Sequence, residues 1–344
     1  MTARVRAALS VTAVLAASLV GATCTAAADT TVTITQPPTK LPIGVKHSAF
    51  PSMMLDNGIV TLVWRQGSDH YAKRDGNIML SQSTDNGTSW STAQTIRTGG
   101  DHRDPSISHA AGRDWLTWFA GSTASPAIGA FSQRDQWGAT VRVDALPYAA
   151  MTSPITQLPN GELAAAFYGR QTGEAYDTCW MAWSKDGRTW TRNRITNMLG
   201  AKVHTNEPYL VVDGNLTHMF YRWGTADSIG MRTSTAADAR TGWGPQRRII
   251  TQASGRPTVL ATSSGVLVMV YRKLPSKAAW IAYSSDHGAT WRDGGTLMTP
   301  PAGSPNGMTY AAMAETQPGE VLVVFGMEAT TTSSSLYAAH LAIT

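Results

Sequence analysis

A set of ionisable residues recurs beside apolar, strand-like runs. Arg65 and Asp69 lie in V-W-R-Q-G-S-D-H, Asp104 in H-R-D-P-S-I and Glu207 in T-N-E-P-Y-L-V. Arg222 closes M-F-Y-R-W-G, Arg272 closes M-V-Y-R-K-L, and Tyr310 opens G-M-T-Y-A-A-M. A phenol, a carboxylate and two arginines arriving from separate strands could hold one small anionic or polyhydroxylated ligand, because the planar guanidinium fork matches a carboxylate. Taken singly, an arginine at a strand end also suits a surface and a tyrosine in a strand also suits packing. The elements that position them therefore decide.

Those elements repeat. The motifs S-T-D-N-G-T-S-W (Ser83 to Trp90), S-K-D-G-R-T-W (Ser184 to Trp190) and S-S-D-H-G-A-T-W (Ser284 to Trp291) are joined by two worn copies, Ser132 with Trp137 and Ser234 with Trp243. The serines step by 49, 52, 50 and 50 residues. A period near fifty in a strand-rich chain signals radial repetition, one propeller blade per repeat. Each motif reads as a turn between strands. Aspartate can bond nearby backbone N–H groups, glycine supplies a positive φ and tryptophan covers the junction. These aspartates are structural. Five repeats carry strand runs of this kind, and a sixth set (Met308 to Ala314, Glu320 to Met327, Leu336 to Ile343) lacks a fourth strand. The orphan T-V-T-I-T run at Thr31 to Thr35 is expected to supply it, which removes an exposed edge. The expected fold is all-β, a six-bladed β-propeller. Ala329 to Ser335 reads as a loop.

The first 28 residues read as a secretion signal, with Arg4 and Arg6, an apolar run from Ala7 to Val20 and Ala26-Ala27-Ala28 as the cleavage site. About fourteen apolar residues are too few to span a bilayer. Residues 29–344 are then one secreted, extracellular domain, expected to be a monomer with no membrane partner. Cys24 leaves with the signal, so Cys179 stands alone as a buried hydrophobe. The net charge of +5 includes two signal arginines and no signal acids, leaving +3 (5 − 2) without a basic cluster, which argues against nucleic acid. His102 and Asp104 have ligand-like spacing, but no metal or cofactor is expected.

The turn motif is similar to the Asp box (BNR repeat) of the sialidase, or neuraminidase, superfamily, and the order of interleaved residues resembles a non-viral exo-sialidase from about Ser48 to Met327. N-E-P-Y-L-V-V-D-G-N-L-T-H-M-F-Y-R resembles the segment with the catalytic glutamate and a carboxylate-binding arginine, implying Glu207 and Arg222. By the same resemblance V-Y-R implies Arg272, and T-Y-A-A-M followed by V-V-F-G-M-E implies Tyr310 as nucleophile. R-Q-G-S-D-H implies Asp69 as acid/base with Arg65 touching the sugar, and D-P-S implies Asp104 facing the ligand. The family's first triad arginine is replaced by Ala49 in S-A-F-P-S, so Lys46, His47, Arg103 or Arg256 must compensate or the substrate must differ. Losing one charge-assisted hydrogen bond costs about 1.5–3 kcal/mol. The resemblance implies a retaining glycoside hydrolase with a tyrosine nucleophile, acting on sialic acid or a related sugar. A carbohydrate-binding propeller with little turnover, or a hydrolase or lyase for another polysaccharide, are the alternatives.

Overall fold

Every repeat folds into antiparallel strands, as short apolar runs bounded by turn signals lead one to expect. The computed structural model describes residues 29–71, 75–121, 129–133, 141–142, 146, 148–196, 202–224 and 228–344. Residues 1–28 with Cys24, and Trp137 of a worn motif, lie outside the described residues.

The chain enters through β1 (Val32–Lys40). The first repeat contributes β2 (His47–Asp56), β3 (Ile59–Gly67), β4 (Asn77–Ser83) and β5 (Gln94–Arg97). The second contributes β6 (Asp101–Ala110), β7 (Arg113–Gly121), β8 (Gly129–Gln133) and β9 (Val141–Arg142). In the third, β10 (Tyr148–Met151) and β11 (Thr156–Gln157) share one edge of β12 (Leu163–Arg170), followed by β13 (Thr178–Ser184) and β14 (Thr191–Arg194). The fourth holds β15 (Thr205–Asp213), β16 (Leu216–Trp223), β17 (Ser228–Ser234) and β18 (Arg247–Thr251). The fifth holds β19 (Ala253–Ala261), β20 (Leu267–Lys273), β21 (Ala278–Ser284) and β22 (Arg292–Met298). The last holds β23 (Met308–Gln317), β24 (Glu320–Thr330) and β25 (Ser333–Ile343).

β1 pairs antiparallel with β25, Val32 opposite Ile343, and so completes the final group as the orphan strand required. A single parallel pair, His47 with Ser334, merges this group and the first into one eight-stranded sheet. The remaining groups are separate sheets. Apolar layers fill the spaces between neighbours. Val63, Ile78, Ile107 and Trp118 join the first group to the second. Trp115, Met151 and Phe167 join the second to the third, and Met181, Leu210 and Met219 the third to the fourth. Phe220, Met231 and Leu267 continue to the fifth, and Val268, Ile281 and Phe325 to the last. Leu62, Trp64, Leu322 and Val324 then join last to first. The strands are apolar on both faces because each sheet is covered on both faces.

The turn motifs close the third strand onto the fourth. Asp286 Oδ1 accepts from the Thr290 N–H (2.8 Å), and Ser284 Oγ accepts from the Gly288 N–H (2.8 Å). Ser184–Trp190 repeats the pattern, and its Trp190 Nε1 donates to the Gly187 carbonyl. Hydrogen bonds from Ser89 and Ser83 hold the exposed Asp85 carboxyl down at about 2, and backbone N–H groups of Thr189 and Arg188 do the same for Asp186. Cys179 is buried and free, its thiol pushed up by desolvation.

Two expectations need correction. Ala329–Ser335 is mostly strand, since β24 runs to Thr330 and β25 begins at Ser333. Threonine's branched side chain suits a pleated surface as well as a loop. The inner strands also begin earlier than the prolines that seemed to open them: β2, β6 and β15 start three or four residues before Pro51, Pro105 and Pro208.

Candidate active site

The early starts build the site. Pairing of β2 with β3 slips between Ala49 and Ser52, β6 with β7 between Arg103 and Ser106, β15 with β16 between Asn206 and Tyr209, and β19 with β20 between Ser254 and Thr258. At these bulges Phe50, Asp104, Glu207 and Gly255 take φ of 56°, 45°, 54° and 73°. A bulge re-aims one side chain out of the alternation. Left-handed backbone is strained for residues with a Cβ, on the order of 1–3 kcal/mol each. Two of the three strained positions carry the candidate carboxylates. Gly255 is needed twice over, because a Cβ there would also lie 2.6 Å from Arg272 Nη2.

Tyr310 is 6% exposed, packed with Ala49 and Phe50, its ring 5.1 Å from that of Phe50. Arg256 lies over its other surroundings, the guanidinium carbon 4.6 Å from the ring centroid. Burial raises the phenol's pKa well above its usual value, the Glu207 and Asp104 carboxylates raise it further, and Arg256 and Arg272 oppose them. Glu207 Oε1 accepts from Arg222 Nη1 (3.0 Å), while its buried Oε2 has no partner. The carboxylate in turn holds the Arg222 proton more tightly. Arg272 is half-buried, donating from Nη1 to the Asn306 carbonyl (3.1 Å). Desolvation lowers its pKa. The Asp104 carboxyl is pushed up to about 6 by burial, against the pull of Arg103 and Arg256, and its Oδ1 has no partner. Glu207, Asp104, Arg222 and Arg272 thus lie near enough to one phenol for their charges to act on it or be acted on by it. The expected Glu207–Tyr310 hydrogen bond is not among the contacts.

Asp69 reaches this group through its neighbours. Its Oδ1 accepts from the Tyr71 N–H (2.9 Å), fixing the loop after β3. Adjacent His70 packs its ring 5.4 Å from Phe50, the residue that touches Tyr310. Arg65 was expected to touch sugar, but it is fully buried: Nε and Nη2 donate to Asp101 Oδ1 (2.9 and 2.6 Å) and Nη1 to the Asp69 carbonyl (2.8 Å). It supports Asp69 from behind. Asp101 escaped sequence reading, since only the fold shows that Arg65 needs a counter-ion 36 residues away.

The four cations that might replace an arginine at Ala49 are placed as follows. Lys46 is exposed. Arg103 donates to the His70 carbonyl (2.9 Å) with its guanidinium carbon 5.3 Å from the Phe50 ring centroid. Arg256 is buried, donating to the carbonyls of Thr152 (2.6 Å) and Ala311 (3.1 Å). His47 Nε2 meets Glu328 Oε2 at 3.0 Å, and His70 Nδ1 meets the same oxygen at 2.6 Å. Burial would raise the Glu328 carboxyl, but hydrogen bonds from both histidines hold it at about 2. His102 turns to the Thr98 carbonyl (3.2 Å) and shares no ligand cluster with Asp104 among the described residues.

Stacked antiparallel sheets with strained carboxylates at inner-strand bulges define a class of β-repeat proteins. Residues 116–340 match the BNR repeat-like domain, and the chain belongs to that family. No curated protein matches the sequence. Among solved structures, a Dyadobacter fermentans protein of unknown function is similar at a TM-score of 0.73 and 15% identity, over 91% of this chain and 99% of that one. The Hadza microbial sialidase Hz136 gives 0.68 and 15% over 85% of this chain and 65% of that one. Trypanosoma rangeli sialidase in complex with sialic acid gives 0.65 and 12% over 92% and 59%. The chain therefore spans roughly three fifths of the length of these two sialidases. It shares the fold of the sialidase superfamily with BNR repeats.

Proposed function

We propose that the six strand groups close as a six-bladed propeller and that the chain is a secreted retaining glycoside hydrolase acting on sialic acid or a related sugar. The cyclic succession of apolar layers, last group to first, supports the ring. The observation that carries the activity is a buried Tyr310 phenol within electrostatic reach of Glu207, Asp104, Arg222 and Arg272, with Glu207 paired to Arg222. A phenol so far from ionising needs a base. Glu207 accepts its proton as Tyr310 Oη bonds to the anomeric carbon; the glycosidic C–O bond breaks, and the leaving oxygen takes the Asp69 proton. The Asp69 carboxylate then removes a proton from water, whose oxygen displaces Tyr310, and the phenolate recovers its proton from Glu207. Arg222 and Arg272 bind the substrate's anionic group, and Asp104 faces its hydroxyls. Arg65 holds the Asp69 loop.

The test is turnover of a fluorogenic sialoside beside a panel of neutral and uronic glycosides. Tyr310→Phe should lower kcat by about 10³-fold or more. Asp69→Asn should damage an unactivated sialoside far more than one with an acidic leaving group, which needs no general acid. Turnover of a neutral glycoside alone would end the sialoside assignment. A second reading, a sugar-binding propeller with little turnover, is favoured by Ala49 and by the absence of a Glu207–Tyr310 bond. Its signature is sialoside binding that Arg222→Ala abolishes, without product.

A further inference from the structure

We infer that His47, His70 and Glu328 form a binding site for one divalent transition-metal ion of the zinc class, set beside the candidate active site. His47 Nε2, His70 Nδ1 and a Glu328 oxygen all lie within 4.8 Å of one another. Two imidazole nitrogens and a carboxylate are a donor set suited to zinc and its neighbours. Three protein donors leave a position open to water.

Two of the three donors, Glu328 and His70, are held from outside. Asn306 Nδ2 donates to Glu328 Oε1 (2.6 Å), which leaves Oε2 as the single oxygen presented to both rings. His47 sits at the start of β2 and Glu328 on β24, both fully enclosed. His70 is tied by its own N–H to the Thr331 carbonyl (2.7 Å) and by its carbonyl to Arg103 Nη2. Such outer partners fix ligand orientation. Phe50 lies against both imidazoles, at 6.4 and 5.4 Å between centroids, and forms an apolar wall. The His70 side chain is 18% exposed, which gives an ion a way in.

The present separations of Oε2 from the two nitrogens, 3.0 and 2.6 Å, are closer than the edge of a tetrahedral zinc site, about 3.3 Å for bonds near 2 Å. An ion therefore has to spread the donors by less than about 1 Å. Binding would pin the residue next to Asp69. Through Asn306, whose carbonyl accepts from Arg272, it would also fix a second part of the site. A second cluster, Asp56, His109 and Asp114, is more open to solvent.

The full chain, stripped with chelator and dialysed, is titrated with Zn²⁺ by calorimetry, and with Co²⁺ while the visible absorption is followed. One equivalent should bind, with a Co²⁺ spectrum of four- or five-coordination. His70→Ala and Glu328→Gln should weaken Zn²⁺ binding by about 100-fold or more, and His109→Ala should leave it unchanged. A wild-type chain that takes up no Zn²⁺ overturns the site, as does binding lost in His109→Ala. Neither result bears on whether a sialoside is turned over, because the readout is metal uptake.

Discussion

Asp104 is a buried acid whose pKa, about 6, stands above the ordinary 3.8. A raised carboxyl contributes stability in full below the unfolded value and loses it as pH rises through the folded one. Folding therefore weakens between about pH 4 and 6, by on the order of 2–3 kcal/mol. Asp104→Asn should flatten that dependence. Its Tm should exceed wild type at pH 8 and converge with it near pH 4, while affinity for substrate falls. Thermal unfolding across pH checks this, and parallel curves for the two proteins would refute it. Ala49→Arg tests the other unusual residue. Ala49 is fully buried, its Cα 3.3 Å from where a Cβ on Gly326 would lie. The longer side chain should cost about 1–3 kcal/mol by overpacking. A sialoside kcat/KM that rises about tenfold despite that cost would show that the position wants a cation.

Among elements, the turn motif and the inner-strand bulge do opposite work. The motif satisfies itself: Ser284 Oγ donates to Asp286 Oδ1 (2.7 Å) and accepts from the Gly288 N–H. Ser284→Ala should cost about 1–2 kcal/mol in denaturant unfolding and leave kcat/KM unchanged. The bulge stores strain and aims a side chain. Proline follows Phe50, Asp104 and Glu207 directly, so X-Pro pairs one or two repeats apart were a visible sign of it. Read as strand starts, they concealed the segments that bear the site. Changing Glu207 to Gly relieves the left-handed backbone, so stability should hold or rise while turnover is lost. A variant that unfolds would mean the Arg222 ion pair, not the strain, dominates there.

At the scale of the molecule, Arg256 ties the centre together. Its guanidinium reaches carbonyls of Thr152, Ala311 and Pro51, contributed by three different strand groups from a fourth. Arg256→Met would take a donor from the buried Thr152 and Pro51 carbonyls, at roughly 1–3 kcal/mol each where water cannot enter, while Thr258 Oγ1 still serves Ala311 (2.8 Å). The expected result is a lower, broader unfolding transition, with Tyr310 disturbed because Arg256 lies over its ring. Cooperative unfolding at the wild-type midpoint would contradict that role. Removing residues 29–40 should expose the edge of β25, and light scattering should report association.

The sequence by itself determined what is local. The turn motif, its fifty-residue interval and the apolar runs of the strands are written in neighbouring residues, so the all-β repeat and nearly every strand could be read from them. The orphan strand at Thr31 followed from counting, because a sheet edge must be covered. The tertiary structure decided what depends on distant partners. Arg65 looked like a sugar contact until Asp101 was found against it. Arg256 looked like a spare cation until the carbonyls of three other groups closed on it. Glu328 has its histidine partners 281 and 258 residues away, a pairing fixed only when the last strands fold beside the first. Hydrogen bonds and charges act over a few ångströms of space, and no spacing along a chain encodes which strands will bring them within that range.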